Sequence, residues 1–302
     1  MNRYTYIICG YYVKSDICLP EAYPVDDINQ VDVQVKIGKI PDFLNCSKEA
    51  GYGTWTNGLE NAWFYNKDIA QFYVYRGKEI IIEPEQKADI RKVRSMLYSA
   101  AFALIVLQRQ EIMFHGSGLI WEGKSFIICG DSGAGKSTLT LQLLREGAQF
   151  LADDTTRVYM QNDEIWMEPS YPQQKVCRDL AIREKLDLNK LVYIDEERDK
   201  FALPRNDYYI SERQLLNTIV ILRKSDCTEL EVTKLSEREF LNTCIDNLYL
   251  SDTYRKTVGL SLSMVVQLLA IQKKIVVYEI IRPSQGDSVR DICARLYELL
   301  HF

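Results

Sequence analysis

A run of eight residues, 130–137 (GDSGAGKS), matches the pattern G-x-x-x-x-G-K-[S/T] that binds polyphosphates. Its glycines let successive backbone N–H groups point toward a phosphate, and the helix that follows adds partial positive charge. Lys136 is placed to reach the outer phosphates, and the Ser137 hydroxyl is placed to bind Mg²⁺. The sequence predicts a nucleotide-binding loop made of Gly130, Ser132, Gly133, Ala134, Gly135, Lys136, Ser137 and Thr138.

Two adjacent carboxylates, Asp153 and Asp154, follow the next predicted strand. Neighbouring side chains of an extended segment point to opposite sides, so these acids need separate partners. One can support a metal ion while the other accepts the proton of an incoming hydroxyl group. This pair comes earlier than the metal-binding aspartate of most P-loop proteins, which indicates a separate subclass. A surface pair that only ends the strand is the alternative.

One of the only two histidines, His115, lies just ahead of the strand that leads into the loop. Gly116 and Gly118 leave room around it. A neighbouring imidazole can orient a carboxylate and alter its charge balance, so His115 is a candidate for holding or tuning Asp153. A buried histidine with a structural role is the alternative.

The elements that must position these groups alternate between strand and helix. We predict a strand over 125–129, a helix over 136–146 and a strand over 150–152 that ends at the acid pair. A hairpin around 161–164, strands over 218–222 and 274–280, and helices over 236–249, 258–272 and after Asp287 are predicted downstream. The pattern predicts an α/β fold with at least one strand–loop–helix unit.

The first part of the chain has a different pattern, rich in predicted strands. Four aliphatic residues alternate with polar ones over 31–37, and the segments QFYVY and EIIIEP flank a turn at Gly77. Over 88–110, apolar residues recur every three or four positions, as in a helix with one buried stripe. We therefore predict a smaller β-rich N-terminal region, 1–86, and a nucleotide-binding and catalytic domain, 87–302.

Composition and charge narrow the classes of function. The formal net charge is −5, so no excess of positive charge favours binding to nucleic acid. The longest apolar run, 97–107, is too short to span a bilayer, and no membrane partner is expected. The N-terminus lacks signal-peptide features and the eight cysteines form no C-x-x-C pair, which together favour a cytoplasmic protein.

The segments HGSG, GDSGAGKST and LADDT, in this order and at this spacing, resemble the HPr kinase/phosphorylase family. The nucleotide site of that family is similar to that of phosphoenolpyruvate carboxykinase, so the resemblance implies a P-loop α/β domain of this type. The likeness is strongest over 113–157 and extends more loosely over about 7–222. It is closest to HPr-kinase-like proteins of peptide modification, including kinases of lasso-precursor peptides, which have a short β-rich N-terminal region.

The resemblance also implies roles for single residues. Asp153 matches the general base, and His115 matches the histidine beside it. Asp154 and Ser137 match the Mg²⁺ positions, while Lys136 matches the lysine that neutralises phosphate charge. A further metal-linked glutamate is expected downstream, and the nearest candidate is Glu168. The long glycine-containing signature of true HPr kinases after that glutamate is absent, which argues against HPr itself as the substrate.

The residues and the resemblance together predict an ATP- and Mg²⁺-dependent kinase that transfers the γ-phosphoryl group to a serine of a peptide or small protein. A cationic side chain is expected beside the transferred phosphate, for which Lys200 and Arg205 are candidates. Family members are often oligomeric, so the resemblance implies a homo-oligomer.

Two other functions stay open and two are disfavoured. A small-molecule kinase, for example one acting on free serine, is the closest alternative, and a catalytically reduced nucleotide-binding scaffold is the second. A regulatory GTPase would need an asparagine where Arg223 stands, and an ABC-type ATPase would need the motif L-S-G-G-Q, which the sequence lacks.

Overall fold

The structure, a computed structural model, describes residues 4–26, 28–42, 52–195, 199–249 and 259–301. Within these ranges the strands form four sheets, and the helices pack against them. The predicted α/β class is therefore confirmed. No helix in these ranges is long and apolar enough to cross a membrane.

The first part of the chain forms an eight-stranded sheet, because its β-branched and aromatic residues alternate with polar ones. Its strands are β1 (Tyr4–Ile8), β2 (Tyr11–Ser15), β3 (Tyr23–Pro24), β4 (Val33–Ile37), β5 (Tyr52–Asn57), β6 (Asn61–Asn66), β7 (Ala70–Tyr75) and β8 (Glu79–Pro84). Their order across the sheet is β3-β1-β2-β4-β8-β7-β6-β5. The hairpin predicted around Gly77 joins β7 to β8.

The helix predicted after this sheet is present, but it contains one irregular turn. It consists of α1 (Ile90–Met96), a π-helical turn (Leu97–Ala101) and α2 (Phe102–Gln108). α1 begins at Asp89, whose carboxylate accepts a hydrogen bond from the N–H of Arg91. Apolar periodicity predicts the buried stripe of a helix but not a single wider turn, so the π-helical turn was not predicted.

A six-stranded sheet carries the glycine-rich loop. Its strands are β10 (Gly116–Trp121), β11 (Lys124–Cys129), β12 (Gln149–Ala152), β19 (Thr218–Ser225), β20 (Glu231–Lys234) and β21 (Val276–Pro283), in the order β12-β10-β11-β19-β21-β20. Because β11, β19 and β21 are parallel, their carboxyl ends lie at one edge of the sheet. The loop leaves β11 at this edge and enters α3 (Lys136–Arg145), which packs beside α7 (Val289–His301).

Two smaller sheets, three further α-helices and two short 3₁₀ helices (Leu188–Lys190 and Asn206–Tyr208) complete the described fold. One sheet has the order β18-β14-β13-β9 and the other β15-β17-β16. Their strands are β9 (Ile112–Phe114), β13 (Thr156–Gln161), β14 (Glu164–Met167), β15 (Gln173–Cys177), β16 (Val192–Asp195), β17 (Lys200–Pro204) and β18 (Gln214–Leu215). The helices are α4 (Arg178–Arg183), α5 (Glu237–Asp246) and α6 (Leu262–Gln272). Ser236 and Glu239 form a capping box at the start of α5.

One hydrophobic core runs from the N-terminal sheet into the part of the chain that carries the loop. Phe72 of β7, Phe102 of α2 and Ile219 of β19 belong to the same buried cluster. α2 contacts β7 on one side and β9 on the other. Arg157 strengthens the junction, because its guanidinium donates to Glu111 and to the carbonyl of Cys9. The division of the chain into an N-terminal region, 1–86, and a catalytic domain, 87–302, stays a prediction.

Candidate active site

The predicted phosphate loop, 130–137, is shaped by three glycines at positive φ. Gly130, Gly133 and Gly135 have φ of 134°, 82° and 109°, values that residues with a side chain rarely adopt. A Cβ atom at Gly130 would lie 2.1 Å from the carbonyl oxygen of Leu222 in β19. The start of the loop therefore rests directly on the backbone of the neighbouring strand.

Gly130→Ala is expected to lower the free energy of unfolding by about 3 kcal/mol, through backbone strain and overlap with a carbonyl that cannot move away. Gly123→Ala is the matched control, because Gly123 also has positive φ (73°) but no atom lies within 4 Å of its added Cβ. We expect the control to lose only about 1 kcal/mol. Urea unfolding measures both values, and equal losses would contradict the close approach at Gly130.

Lys136 and Arg282 hold the loop from two sides. The Lys136 ammonium donates to the carbonyls of Gly130 and Asp131, at 3.1 Å from the second oxygen. The Arg282 Nε lies 2.7 Å from the carbonyl oxygen of Ala134 and donates to it. Arg282 lies at the end of β21, far along the chain, and no local motif marks it. Its only signal in the sequence is its place just after the strand predicted over 274–280.

Asp153 is buried, with 5% of its surface exposed, and each of its carboxylate oxygens accepts one hydrogen bond. One carboxylate oxygen accepts from the Ser117 hydroxyl at 2.6 Å, and the other accepts from the backbone N–H of Lys175 at 2.8 Å. Burial raises the pKa of Asp153, although these two hydrogen bonds act against the rise. The result is a rigidly held carboxyl group that binds a proton more readily than an ordinary aspartate.

Asp154 has a different environment although it is the next residue. Its backbone adopts a left-handed conformation, with φ of 66°, instead of the extended one expected from the sequence. Its carboxylate forms an ion pair with Lys175, with an N···O distance of 2.7 Å. Burial acts to raise the pKa of Asp154, but the charge and hydrogen bond of Lys175, together with His115 and Lys200, outweigh it and hold the pKa well below its usual value. The two acids therefore share Lys175, Asp153 through its backbone N–H and Asp154 through its ammonium. Their pKa values nevertheless shift in opposite directions, as those of paired acids with different roles do.

His115 lies beside Asp154, whereas the sequence led us to expect it beside Asp153. Its Nδ1 is 3.8 Å from a carboxylate oxygen of Asp154, and its ring packs against that of Tyr249 with centroids 5.4 Å apart. Burial lowers the pKa of His115 to about 4. The negative charge of Asp154 acts to raise this pKa, and the positive charges of nearby lysines act to lower it. The imidazole is therefore neutral at pH 7.

The shifted pKa of His115 predicts a pH-dependent stability. Between pH 6.5 and 4 the unfolded chain binds a proton on this histidine that the folded protein does not, so stability falls as the pH falls. Between pH 7 and pH 4.5, we expect the free energy of unfolding of His115→Gln to fall by about 2 kcal/mol less than that of the wild type, allowing for partial exposure of the ring. Urea unfolding at pH 7 and pH 4.5 with a chelator present measures it. The same pH dependence in both proteins would contradict a neutral, buried imidazole.

The loop and both acids line one cavity of about 400 Å³. Most predicted loop residues line it, and so do both acids and His115. Five cationic side chains from separate elements also line it, namely Lys136, Lys175, Arg183, Lys200 and Arg282. Sequence reasoning missed Lys175, Arg183 and Arg282, as well as Ser117. Only Ser117 had a local signal, because it belongs to the HGSG segment that contains His115.

Two other predicted residues are not brought to this cavity. The Glu168 carboxylate accepts from the Tyr159 hydroxyl at 2.6 Å and packs against Gly10 of the N-terminal sheet. The Arg205 guanidinium is buried and donates to the side-chain oxygen of Gln174. Of the two cations suggested beside the transferred phosphate, Lys200 lines the cavity and Arg205 does not. Neither Glu168 as a metal ligand nor Arg205 as a phosphate contact fits this geometry.

The oxygen donors of the cavity suit a magnesium nucleotide. Ser137, Asp153 and Asp154 all line it. Mg²⁺ usually takes one or two carboxylates from the protein and further oxygens from substrate phosphates and water. Within the described ranges, no group of three or more His, Cys, Asp or Glu residues could hold a metal by itself. These donors therefore suit a metal ion that takes some of its ligands from a substrate phosphate.

Comparisons with known proteins agree with the motifs. The HPr kinase/phosphorylase of Streptococcus uberis is 36% identical over 116 residues, which cover 35% of this chain and 37% of that protein. That of Listeria welshimeri is 29% identical over 115 residues, 35% of this chain and 36% of that protein. The predicted resemblance to the HPr kinase/phosphorylase family is confirmed for this segment, and the chain spans just over a third of the length of these relatives.

A solved structure, the Hpr(Ser) kinase/phosphatase from Coxiella burnetii, matches at 16% identity with a TM-score of 0.32, covering 62% of this chain and 96% of that one. No family model matches the chain.

Proposed function

We propose that this chain is an ATP- and Mg²⁺-dependent kinase that transfers the γ-phosphoryl group to a hydroxyl, that of a serine in a peptide or small protein. One observation supports the proposal. The phosphate loop, two acids with opposite pKa shifts and five cationic side chains all line the same cavity. The similarity to HPr kinase/phosphorylases over about a third of the chain supports the same class of chemistry.

The loop and its neighbours are suited to hold the nucleotide. Lys136 and Arg282 bring positive charge to the loop, and Ser137 and Asp154 would hold the metal. When bound, Mg²⁺ supplies charge neutralisation at the phosphates. Lys175 and Lys200 add fixed positive charge on the side of the acid pair, where charge develops as the phosphoryl group moves.

Asp153 is suited to act as the base. In the transfer, the acceptor oxygen forms a bond to the γ-phosphorus, the bond from that phosphorus to the leaving ADP oxygen breaks, and the hydroxyl proton passes to Asp153. Ser117 and the N–H of Lys175 fix the orientation of the carboxylate. Each carboxylate oxygen has a second lone pair available for the incoming hydroxyl.

Labelled ATP tests this proposal. The protein is incubated with γ-labelled ATP, Mg²⁺ and either a pool of serine-containing peptides or free serine, with Asp153→Asn as the inactive control. We expect label on peptide serine, and none with the control or with a chelator. Label on free serine alone would instead support a small-molecule kinase. Release of inorganic phosphate alone, or no reaction, would contradict the kinase proposal.

A further inference from the structure

A second cavity, of about 450 Å³, adjoins the first. The two cavities share four residues, His115, Asp154, Lys175 and Lys200. The loop residues line only the first cavity, whereas the second is walled by the turn between β6 and β7 and by α1 with its π-helical turn. The second cavity therefore meets the first at Asp154, whereas Asp153 lines only the first, and the N-terminal sheet forms part of the second.

Small side chains on the helix leave this space open. Ser95, Ser99 and Ala100 line the cavity. The hydroxyl of Ser99 donates to the carbonyl of Ser95 at 2.8 Å, so it is satisfied within the helix. Ser99 and Ala100 belong to the π-helical turn, and such turns occur frequently at functional sites. The irregular turn is thus located in the wall of the cavity next to the acid pair.

The charge of the second cavity is positive although the whole chain is acidic. Lys67, Lys92 and Lys200 come from the β6–β7 turn, α1 and β17, and all three line it. Its carboxylates are Asp68 and Asp154, and Asp154 is already paired with Lys175. With Lys175, four lysines thus line the cavity against two aspartates, in a chain with a net charge of −5. Such a surface attracts anionic groups.

We propose that the second cavity is the acceptor groove, and that it takes a hydroxyl-bearing peptide segment with carboxylates on either side of the hydroxyl. The inference rests on the proposed kinase function. The acceptor hydroxyl enters the first cavity, which Asp153 lines, through the junction at Asp154 and Lys200, and the nucleotide approaches from the loop side. The N-terminal sheet then takes part in acceptor recognition through its β6–β7 turn.

Peptide binding tests the groove without depending on phosphoryl transfer. Fluorescein-labelled Glu-Glu-Ser-Glu-Glu and Lys-Lys-Ser-Lys-Lys are titrated with the protein, and anisotropy is followed at low salt. We expect the acidic peptide to bind and the basic one not to. Lys67→Glu should weaken binding of the acidic peptide by roughly 5- to 10-fold. Lys78→Glu is the matched control, since Lys78 is an exposed lysine in the turn at the other end of β7, and it should change nothing.

A second variant fills the space instead of reversing a charge. Ser95→Trp should abolish binding of the acidic peptide while the calorimetric affinity for ATP stays within about twofold, because Ser95 lines only the second cavity. An unchanged melting temperature shows that the variant folds.

The outcomes separate the groove from the kinase. No binding of the acidic peptide to the wild type, equal binding of both peptides, or wild-type affinity in Lys67→Glu would each overturn the groove assignment. Peptide binding without label transfer would count against the kinase function and leave the groove standing. Transfer to the peptide that survives Ser95→Trp would remove the groove and leave the kinase.

Discussion

Asp153→Asn is expected to lower kcat for phosphoryl transfer by roughly 10³-fold while leaving the affinity for ATP within about twofold. The amide has the same shape as the carboxyl group and can still contact Ser117, but it cannot accept the proton of the acceptor. The raised pKa of Asp153 fits a proton acceptor better than a metal ligand, which needs to stay ionised. Single-turnover transfer of label measures kcat, and calorimetry measures ATP binding.

Asp154→Asn is the matched comparison, because the two acids are adjacent and only 12% of the Asp154 side chain is exposed. We expect its loss of activity to be relieved by raising the Mg²⁺ concentration, whereas the loss in Asp153→Asn should not respond to Mg²⁺. Asp154 lines both cavities and Asp153 only the first, so Asp154 is the alternative candidate for the base. If Asp153→Asn keeps its turnover and Asp154→Asn is inactive at every Mg²⁺ concentration, the base and metal roles are reversed.

Lys136→Ala is expected to weaken ATP binding by roughly 50-fold, which corresponds to losing a charge-assisted contact to phosphate. The ammonium donates to two loop carbonyls, so it is already positioned at the loop. Burial lowers the pKa of Lys136, and the nearby Asp153 and Asp154 act to keep it charged. Calorimetric titration with ATP and Mg²⁺ measures the change.

Lys124→Ala serves as the control for Lys136→Ala. Lys124 is an exposed lysine at the start of β11, at the opposite end of the strand from the loop. Its replacement should leave the ATP affinity unchanged. An unaltered affinity in Lys136→Ala would contradict the assignment of 130–137 as the nucleotide-binding loop, and a loss in both variants would point to a general effect of charge.

Local patterns predicted much of the secondary structure. The hairpin at Gly77 and the strand–loop–helix unit around 130–137 are both present. Each depends on residues a few positions apart, whose hydrogen bonds and φ preferences act within one turn of the chain. The same locality explains why Asp153 and Asp154 were recognised as a pair but not the left-handed conformation of Asp154.

The sequence alone determined the phosphate loop, the acid pair and the alternation of strand and helix, because these are encoded by neighbouring residues. Tertiary structure decided which acid meets His115, that Lys175 and Arg282 join the site, and that Glu168 turns instead toward the N-terminal sheet. It also formed the second cavity between the β6–β7 turn and the helix. Such contacts depend on strand order and packing. Because the contacting residues lie far apart along the chain, no local spacing in the sequence indicates that they meet.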